Sequence, residues 1–343
     1  EELIGTIENF FVPAEEGVTH PIIKFPARYA WLKEKLNIDV TKLPLDGDEK
    51  FKKFYEQINP AKITLVFPSG YMNSPASMYG HTLLIIETDN NSRLLAQAVN
   101  YAALTDETFG PFFALKGLFG LYKGYYSFLP YYEKIREYND GEMRDMWEYE
   151  LQLNSSEIER LVRHMIEMEN IYSDYYFIDE NCSYNLLFLI EAAKPETKIT
   201  DAFSIGVEPI DTIRVVKKNN LCKDTLYRPS LFSKIQYLRS MLTNEEQQIV
   251  LKYCTGKSKN FEIDQPDIED EKKIIMCDLA SEYLRFYAVT NDISEKDYKS
   301  RFLSVLSKRN SLPQLNFIKN IPTPIAPDES HKSRRIAVET GHS

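Results

Sequence analysis

The chain has 343 residues, of which 43% are hydrophobic and 27% are charged, so it can bury one large core or two modest ones. Its 41 Lys and Arg against 51 Asp and Glu give a formal net charge of −10, which argues against nucleic acid as a partner. No apolar run reaches the length of about 18 residues that a spanning helix needs, and Glu1-Glu2-Leu3-Ile4-Gly5 is not the basic start of an export signal. We therefore predict no membrane-spanning helix and no export signal in this sequence. The missing initial Met fits a processed or trimmed chain.

The first 100 residues show a helical wrap followed by the start of a sheet. Residues 1–60 carry helical patterns without a strand and are predicted to be an N-terminal wrap. A core is predicted over 61–205 and begins with a buried strand at 63–67. A hairpin follows, with strands at 81–87 and 93–100. Because the start of one hairpin strand lies beside the end of the next, His81 and Asn100 are expected to be neighbours.

Residues 109–132 contain four glycines and many aromatic side chains, and they fit neither a regular helix nor a regular strand. One interpretation is an aromatic lobe of the core. The other is a loop that uses Lys116 and Lys123 to approach a membrane surface or to cover an acyl chain.

A strand and two helices complete the predicted core. The strand covers 147–153, and Ser156 to Glu159 are predicted to form a capping box that opens a helix through about Tyr172. A second helix is predicted to follow Asp179-Glu180-Asn181 and to end near Lys194-Pro195. Cys182 therefore lies at a helix N-terminus.

The remainder is predicted to be a helical region over 206–312 and an extended tail over 313–343. Apolar spacing of three and four marks helices at 231–242, 244–254, 268–290 and 295–307, whereas the tail has the proline content of a linker. The four cysteines lack zinc-site spacing, so no metal or cofactor is predicted. A pair such as Cys222 with Cys254 is open, but small buried apolar residues are the favoured interpretation.

A cysteine acts as a nucleophile when it is ionised, and its pKa falls at a helix N-terminus beside an imidazole. Cys182 meets the first condition. Among five histidines, His81 is best placed to meet the second, because it begins a strand directly after Gly80. An amide such as Asn100 would fix its tautomer. The alternatives are that Cys182 is a small buried apolar residue and that His81 has a purely structural role.

Five ordered motifs resemble the Lnb N-terminal periplasmic domain family of the bacterial envelope, most strongly over residues 60–200. They are Ser74 to Thr82, Val99 to Ala103, Phe113 to Gly120, Leu129 to Lys134 and Asp179 to Tyr184. The His-before-Cys order also resembles lecithin retinol acyltransferase and other permuted NlpC-type folds. The resemblance implies an α+β, permuted papain-like core with an antiparallel sheet and a Cys-bearing helix, beside a mainly helical C-terminal region.

The resemblance also implies a periplasmic enzyme that transfers acyl groups through a thioester on Cys182, with a phospholipid or lipoprotein substrate and peripheral membrane contact. Catalysis is assigned to Cys182, His81 and Asn100. Pocket roles are assigned to Tyr79, Ser77, Tyr101, Asn181 and Lys116. Two alternatives are kept: a papain-like amidase or peptidase acting on cell-wall peptides, and a non-enzymatic binding or scaffold module. The oligomeric state is left open.

Overall fold

The structure is a computed structural model that describes residues 1–70, 80–89, 92–105, 110–169, 171–204 and 206–333. The chain divides into two compact units. The first contains Glu1–Tyr132, Glu148–Leu226 and the segment that starts at Pro327, and the second contains Glu133–Trp147 and Tyr227–Ala326. His81 and Cys182 therefore belong to the same unit.

A seven-stranded antiparallel sheet is the centre of the first unit. Its strands are β1 (Lys62–Pro68), β2 (Leu83–Glu87), β3 (Gln97–Leu104), β4 (Tyr122–Pro130), β5 (Met146–Leu151), β6 (Tyr172–Tyr175) and β7 (Cys222–Arg228). The spatial order is β6-β4-β3-β2-β1-β5-β7. The predicted antiparallel sheet is thus confirmed, and β7 is a strand that the helical interpretation of residues beyond 206 missed.

The middle of the sheet forms because β1 and β2 are apolar on both faces. Every residue from Ile63 to Pro68 is buried, and Leu65 pairs with Leu84 across the β1–β2 ladder. Strand β3 pairs with β2 on its other side, with Val99 opposite Leu84. Runs that are apolar on both faces are typical of strands covered on both sides.

The helices of the first unit are α1 (Glu2–Phe10), α2 (Pro21–Lys24), α3 (Pro26–Leu36), α4 (Gly47–Ile58), α5 (Pro111–Leu118), α7 (Ser155–Glu167), α8 (Cys182–Ala193) and α9 (Pro209–Lys218). Helix α6 (Tyr131–Ile135) begins at the end of this unit's first segment and continues into a π-helical turn, Arg136–Gly141, in the second unit. Helix α8 packs on β2 and β3 and against α7 and α9. The packing of α8 on the β2–β3 hairpin brings the start of α8 to the hairpin.

The N-terminal wrap predicted over 1–60 is helical in the structure and has a small core of its own. Phe10, Ile22, Tyr29 and Leu32 are buried together in it. Arg163 of α7 joins Asp48 of this segment at 3.2 Å and stacks on Phe51 at 3.7 Å. The wrap is therefore part of the first unit and is not a separate body.

Helix α7 begins earlier than predicted. Its N-cap is Asn154, whose side chain accepts from Ser156 N–H and Glu157 N–H at 3.0 Å each. The Glu157 carboxylate in turn accepts a hydrogen bond from Asn154 N–H. The capping box is therefore Asn154 with Glu157, in place of Ser156 with Glu159. The helix ends at Glu167, and residues 172–175 form β6, because the edge of β4 is available for pairing there.

The glycine-rich segment that sequence patterns left unassigned forms α5 and β4. Three of its glycines lie against aromatic rings: a Cβ at Gly117, Gly120 or Gly124 would overlap a side chain, respectively Phe177, Tyr176 or Tyr101. These glycines therefore allow aromatic rings to pack closely against the backbone. Because they replace larger side chains, they interrupt the sequence pattern of apolar residues by which a helix or strand is recognised.

The second unit has helices α10 (Leu231–Ser240), α11 (Asn244–Cys254), α12 (Asp270–Val289) and α13 (Glu295–Asn310), close to the four predicted. Helix α12 packs against the other three and is central to their shared apolar core. Within the described ranges, no helix has both the length and the apolarity needed to cross a bilayer.

The two units differ from the predicted domain boundaries at 205 and 313. Helix α9 packs on α8, so the first unit continues to Leu226. Residues 313–326 join the second unit, and Asp328 returns to the first. The Asp328 carboxylate is buried and accepts hydrogen bonds from Tyr149 at 2.7 Å and Lys217 at 2.6 Å. The predicted tail is therefore packed as far as it is described.

Candidate active site

Cys182 is the first residue of α8, as predicted, and its side chain is buried. Asn181 is the N-cap: its Oδ1 accepts from Ser183 N–H at 3.0 Å and from Tyr184 N–H at 3.3 Å. The residue Cys182 is only 4% exposed. The N-terminal half-charge of α8 favours an anion at this position.

His81 and Asn100 are neighbours, which confirms the hairpin prediction. His81 Nε2 lies 2.6 Å from Asn100 Oδ1. A carbonyl oxygen only accepts, so Nε2 carries the proton and Nδ1 is the basic nitrogen. Gly80 has a φ of +94°, and a Cβ there would lie 2.6 Å from the Phe67 ring, so glycine is required where the chain enters this position.

The thiol of Cys182 is acidified by its surroundings. Burial raises its pKa, but the charge of His81 and a hydrogen bond with His81 outweigh burial, and the resulting pKa is about 6, against an ordinary 9.0. Hydrogen bonds from the Ser183 side chain and the Thr82 backbone lower the pKa further. Thr82 Oγ1 donates to Ser183 Oγ at 2.9 Å, which leaves the Ser183 proton directed to the sulfur. The sulfur is therefore held as a thiolate near neutral pH.

Tyr175 is a site residue that sequence patterns missed. Its hydroxyl oxygen accepts from Cys182 N–H at 3.2 Å, and burial together with the Cys182 charge raises the Tyr175 pKa well above 10.0. Tyr175 also stacks on Tyr101, which shares a 2.5 Å hydrogen bond with Ser173. Tyr175 therefore stays protonated, with a donor hydrogen beside the sulfur.

The N–H groups at the start of α8 are already used. Cys182 N–H donates to Tyr175, and the next two N–H groups donate to Asn181. Asn185 N–H donates to Asn181 O at 3.1 Å. The helix-start N–H groups are thus engaged before any substrate binds. The Tyr175 hydroxyl is hydrogen-bonded to the Cys182 side chain, so its proton faces the sulfur.

The sequence profile of the Lnb N-terminal periplasmic domain matches residues 50–219, which contain the whole arrangement. Residues 50–219 belong to the Lnb N-terminal periplasmic domain family. This confirms the resemblance and gives the chain a periplasmic location in the bacterial envelope. Residues 225–319 match a second family, a domain of unknown function (DUF7842), close to the limits of the second unit. No curated protein and no solved structure matches the chain.

Within the Lnb domain, the residues predicted to line a pocket occupy different places. Tyr101 is 1% exposed, and its ring stacks on the Tyr175 ring. Asn181 is buried, and its Nδ2 donates to Val207 O at 2.6 Å, so its side chain is committed to the fold. Lys116 is half-buried, with its ammonium 6.0 Å from the Tyr122 ring centre. Ser77 and Tyr79 lie outside the described residues.

The other described histidines have structural surroundings. His20 caps α2, where its Nδ1 accepts from Ile22 N–H at 3.2 Å. His164 is on α7, and burial, followed by the charges of Arg160 and Arg28, lowers its pKa. His331 contacts the carbonyl of Lys332. In the described ranges, only His81 is associated with a cysteine.

The remaining cysteines are free thiols of reduced acidity, and Cys222 and Cys254 do not form the disulfide that the sequence leaves open. Burial raises the pKa of Cys254 and of Cys277 to about 12, and it raises the pKa of Cys222. Cys182 is the thiol whose pKa is lowered.

A metal cluster or a ligand cavity would be another kind of site in the described part of the chain. The described residues contain no group of three His, Cys, Asp or Glu side chains able to hold a metal ion. A cavity of about 750 Å³ lies between α3 and α7, beside His164 and Trp31, and Cys182 does not line it. Its cations Arg28 and Arg163 are already paired with carboxylates of this unit.

Proposed function

We propose that the Lnb domain transfers acyl groups through a thioester on Cys182, in a permuted papain-like arrangement. The observation that supports this most strongly is the acidified, buried thiol, hydrogen-bonded to His81, which in turn is bound to Asn100. A thiolate with an imidazole held in one tautomer is the working pair of cysteine acyl-enzymes.

In the first half-reaction, His81 holds the proton of Cys182 on Nδ1, and the thiolate attacks the carbonyl carbon of an acyl ester. The S–C bond forms and the carbonyl electrons move to oxygen. When they return, the C–O bond to the leaving alcohol breaks, and that alcohol takes the proton from His81. In the second half-reaction an amine, an alcohol or water gives a proton to His81 Nδ1 and attacks the thioester carbonyl carbon. The C–S bond then breaks, the acyl group stays on the acceptor, and Cys182 is released as the thiolate beside protonated His81.

The oxyanion is stabilised by the Tyr175 hydroxyl. Its oxygen accepts from Cys182 N–H, and its raised pKa keeps it protonated. Its proton faces the Cys182 sulfur in the free protein and turns to the oxyanion once the S–C bond has formed. Removing one such donor from an acyl-transfer site typically costs about 10²–10³ in kcat.

The acyl donor is a phospholipid or a lipoprotein of the envelope. The periplasmic location supports this choice, and so do the apolar surroundings of the sulfur, where Phe113, Tyr122 and Tyr175 are buried together with Cys182. A long acyl chain is better matched to aromatic side chains than a charged cell-wall peptide is.

Intact-mass spectrometry after incubation with mixed phospholipids tests the proposal. The wild-type chain should gain one acyl group, equal to the fatty acid minus water, which hydroxylamine removes. A Cys182→Ser chain should lack that hydroxylamine-sensitive adduct, and a Cys222→Ser chain should keep it. If no adduct forms and a small alkylating agent leaves Cys182 unmodified at neutral pH, the nucleophile assignment is wrong and a binding module is favoured.

A further inference from the structure

Helix α5 of the first unit exposes apolar side chains on the face that usually carries charge. Phe112 is 76% exposed and Phe119 is 69% exposed, with Leu115 between them at 48%. Positions three and seven apart lie on one side of a helix. Leu118 and, after the helix ends at its C-cap Phe119, Leu121 are also exposed. We call these five residues on α5 and its C-terminal turn the α5 outer face.

The opposite side of α5 is bound into the cluster that contains the thiol. Phe113 is 4% exposed and packs with Tyr122, Tyr175 and Cys182. Gly117 lies against the Phe177 ring, and its carbonyl accepts from Phe177 N–H at 2.9 Å. The buried side thus fixes the helix, so the outer face is held outward next to the active-site cluster.

The segment around the outer face is also unusual in charge. Residues 110–132 contain Lys116 and Lys123 and no Asp or Glu, although the chain as a whole carries 51 carboxylates. Lys123 lies over the ring of the exposed Tyr172 at 3.9 Å, and Asp174 faces it across the β4–β6 pair. Leu104, which is 73% exposed, pairs with Lys123 on the other side.

Exposed Leu and Phe beside Lys and Tyr form the pattern of a surface that lies in a membrane interface. Apolar side chains enter the acyl region, aromatic hydroxyls and lysines stay among the headgroups, and a carboxylate would be repelled by anionic lipid. A water-soluble protein partner would not require the segment to lack acidic residues.

We propose that the α5 outer face docks on an anionic lipid bilayer and thereby delivers acyl chains to Cys182. The docking itself needs no thiol, while the delivery of a substrate rests on the proposed function. The partner is a lipid surface, recognised by apolar insertion first and by Lys116 and Lys123 second.

Vesicle flotation of the full chain tests the docking. Vesicles of phosphatidylglycerol and phosphatidylethanolamine should carry the wild-type chain to the top of the gradient. Phe112→Glu and Phe119→Glu should each weaken binding by about tenfold or more, since a charge is placed where an apolar group enters the interface. Leu303→Glu on α13, where Leu303 is 65% exposed, is the matched control and should bind as the wild type does.

The electrostatic contribution is measured with the lysines. Lys123→Gln should weaken binding to anionic vesicles by about fivefold. Vesicles of pure phosphatidylcholine should weaken binding of the wild-type chain by at least that much, because the contribution of Lys116 is lost as well. Near-UV circular dichroism of each variant checks that the fold is kept, because the substituted side chains are largely exposed.

Three results would overturn the docking proposal. One is a wild-type chain that stays at the bottom of the gradient, and another is equal binding by the Phe112→Glu, Phe119→Glu and Leu303→Glu chains. The third is a concentration-dependent dimer that Phe112→Glu dissociates, which would make a second copy the occupant. A Cys182→Ser chain that floats normally while no acyl adduct forms on wild type would refute the acyl-transfer function and leave the docking intact.

Discussion

The two units bury cysteines in ways that give opposite chemistry. In the first unit, Cys182 is 4% exposed and has its pKa lowered to about 6, whereas in the second unit Cys254 and Cys277 are 2% and 0% exposed and have theirs raised to about 12. Burial is similar, so burial does not decide the outcome. The difference is the set of groups that act on the sulfur. For Cys182 they are an imidazole, a hydroxyl and a backbone N–H, which outweigh burial. For Cys254 and Cys277 burial in an apolar core is the largest influence, and the charges of Arg301 and Arg309 do not offset it.

This contrast teaches how a nucleophile is recognised in a fold. Desolvation alone suppresses a thiol by disfavouring its charged form, and only directed donors and a positive charge reverse that effect. A buried position is therefore compatible with reactivity when the neighbouring elements supply polar groups. In the first unit the segment that enters β2 supplies them through His81 and the Thr82 backbone, and α8 supplies the Ser183 hydroxyl.

The largest expected effect is in alkylation by iodoacetamide. At pH 7 a thiol of pKa about 6 is mostly ionised, while one of pKa about 12 is ionised in about one molecule in 10⁵. We expect Cys182 to react at least about 10³-fold faster than Cys254 or Cys277, after allowance for the lower nucleophilicity of acidic thiolates. Peptide mass mapping over time measures all of these thiols in one sample.

The pH profile of the same reaction has a defined sign. Because the pKa of Cys182 is lowered, its rate should rise as the pH increases through about 6 and be level above 7. A rise near the ordinary value of 9.0 would contradict the site as described. Alkylation in denaturant should show that ordinary value for every cysteine and serves as the control.

His81→Ala should make Cys182 resemble the cysteines of the second unit. Without the imidazole, burial remains as the largest influence and should raise the Cys182 pKa above 9.0. The proposed acyl transfer should fall by about 10²–10⁴-fold, the contribution typical of a general base. The rate of acyl-enzyme formation and the alkylation pH profile both measure it.

His164→Ala is the matched control for that change, because His164 is a partly buried histidine on α7 without a cysteine partner. Its activity and alkylation profile should match the wild type. Equal losses in the His81→Ala and His164→Ala chains would show that the effect is one of stability, and the assigned role of His81 would fail.

Asn100→Ala should have a smaller effect, because it leaves both reacting groups in place. Its Oδ1 accepts from His81 Nε2 at 2.6 Å and holds the ring in one tautomer. Loss of such an orienting group should lower kcat by about 10–100-fold, on the scale of other supporting contacts. Asn100→Asp offers another acceptor in the same place and should recover much of the rate, which a purely structural role for Asn100 would not explain.

Sequence patterns predicted those parts of this site that depend on residues close together in the chain. A turn signal between two apolar runs is enough to put His81 beside Asn100, and a helix start is enough to place Cys182 on a positive helix end. The sheet around them followed for the same reason: β1 and β2 are continuous apolar runs.

The rest depends on contacts between distant segments. Tyr175 lies just beyond the predicted end of α7 near Tyr172, in residues for which no helix or strand is predicted. It joins the site because β4 offers an edge that pairs with β6 at Tyr122. The glycines of α5 and β4 concealed the period of both elements, since each glycine makes room for a ring from elsewhere in the chain. A single sequence has no signal for such pairings.

The smallest expected effect belongs to the second unit. Cys277 lies on α12 and is 0% exposed within the apolar core of that unit, so its thiol serves as a small hydrophobic group. Cys277→Ala should lower the free energy of unfolding by about 1 kcal/mol, the usual cost of a cavity of that size. Urea denaturation measures it. The acylation of Cys182 should be unchanged, whereas Cys182→Ala should abolish it. If Cys277→Ala also removed the acyl adduct, the reactive thiol would not be confined to the first unit, and the contrast between the two buried cysteines would no longer hold.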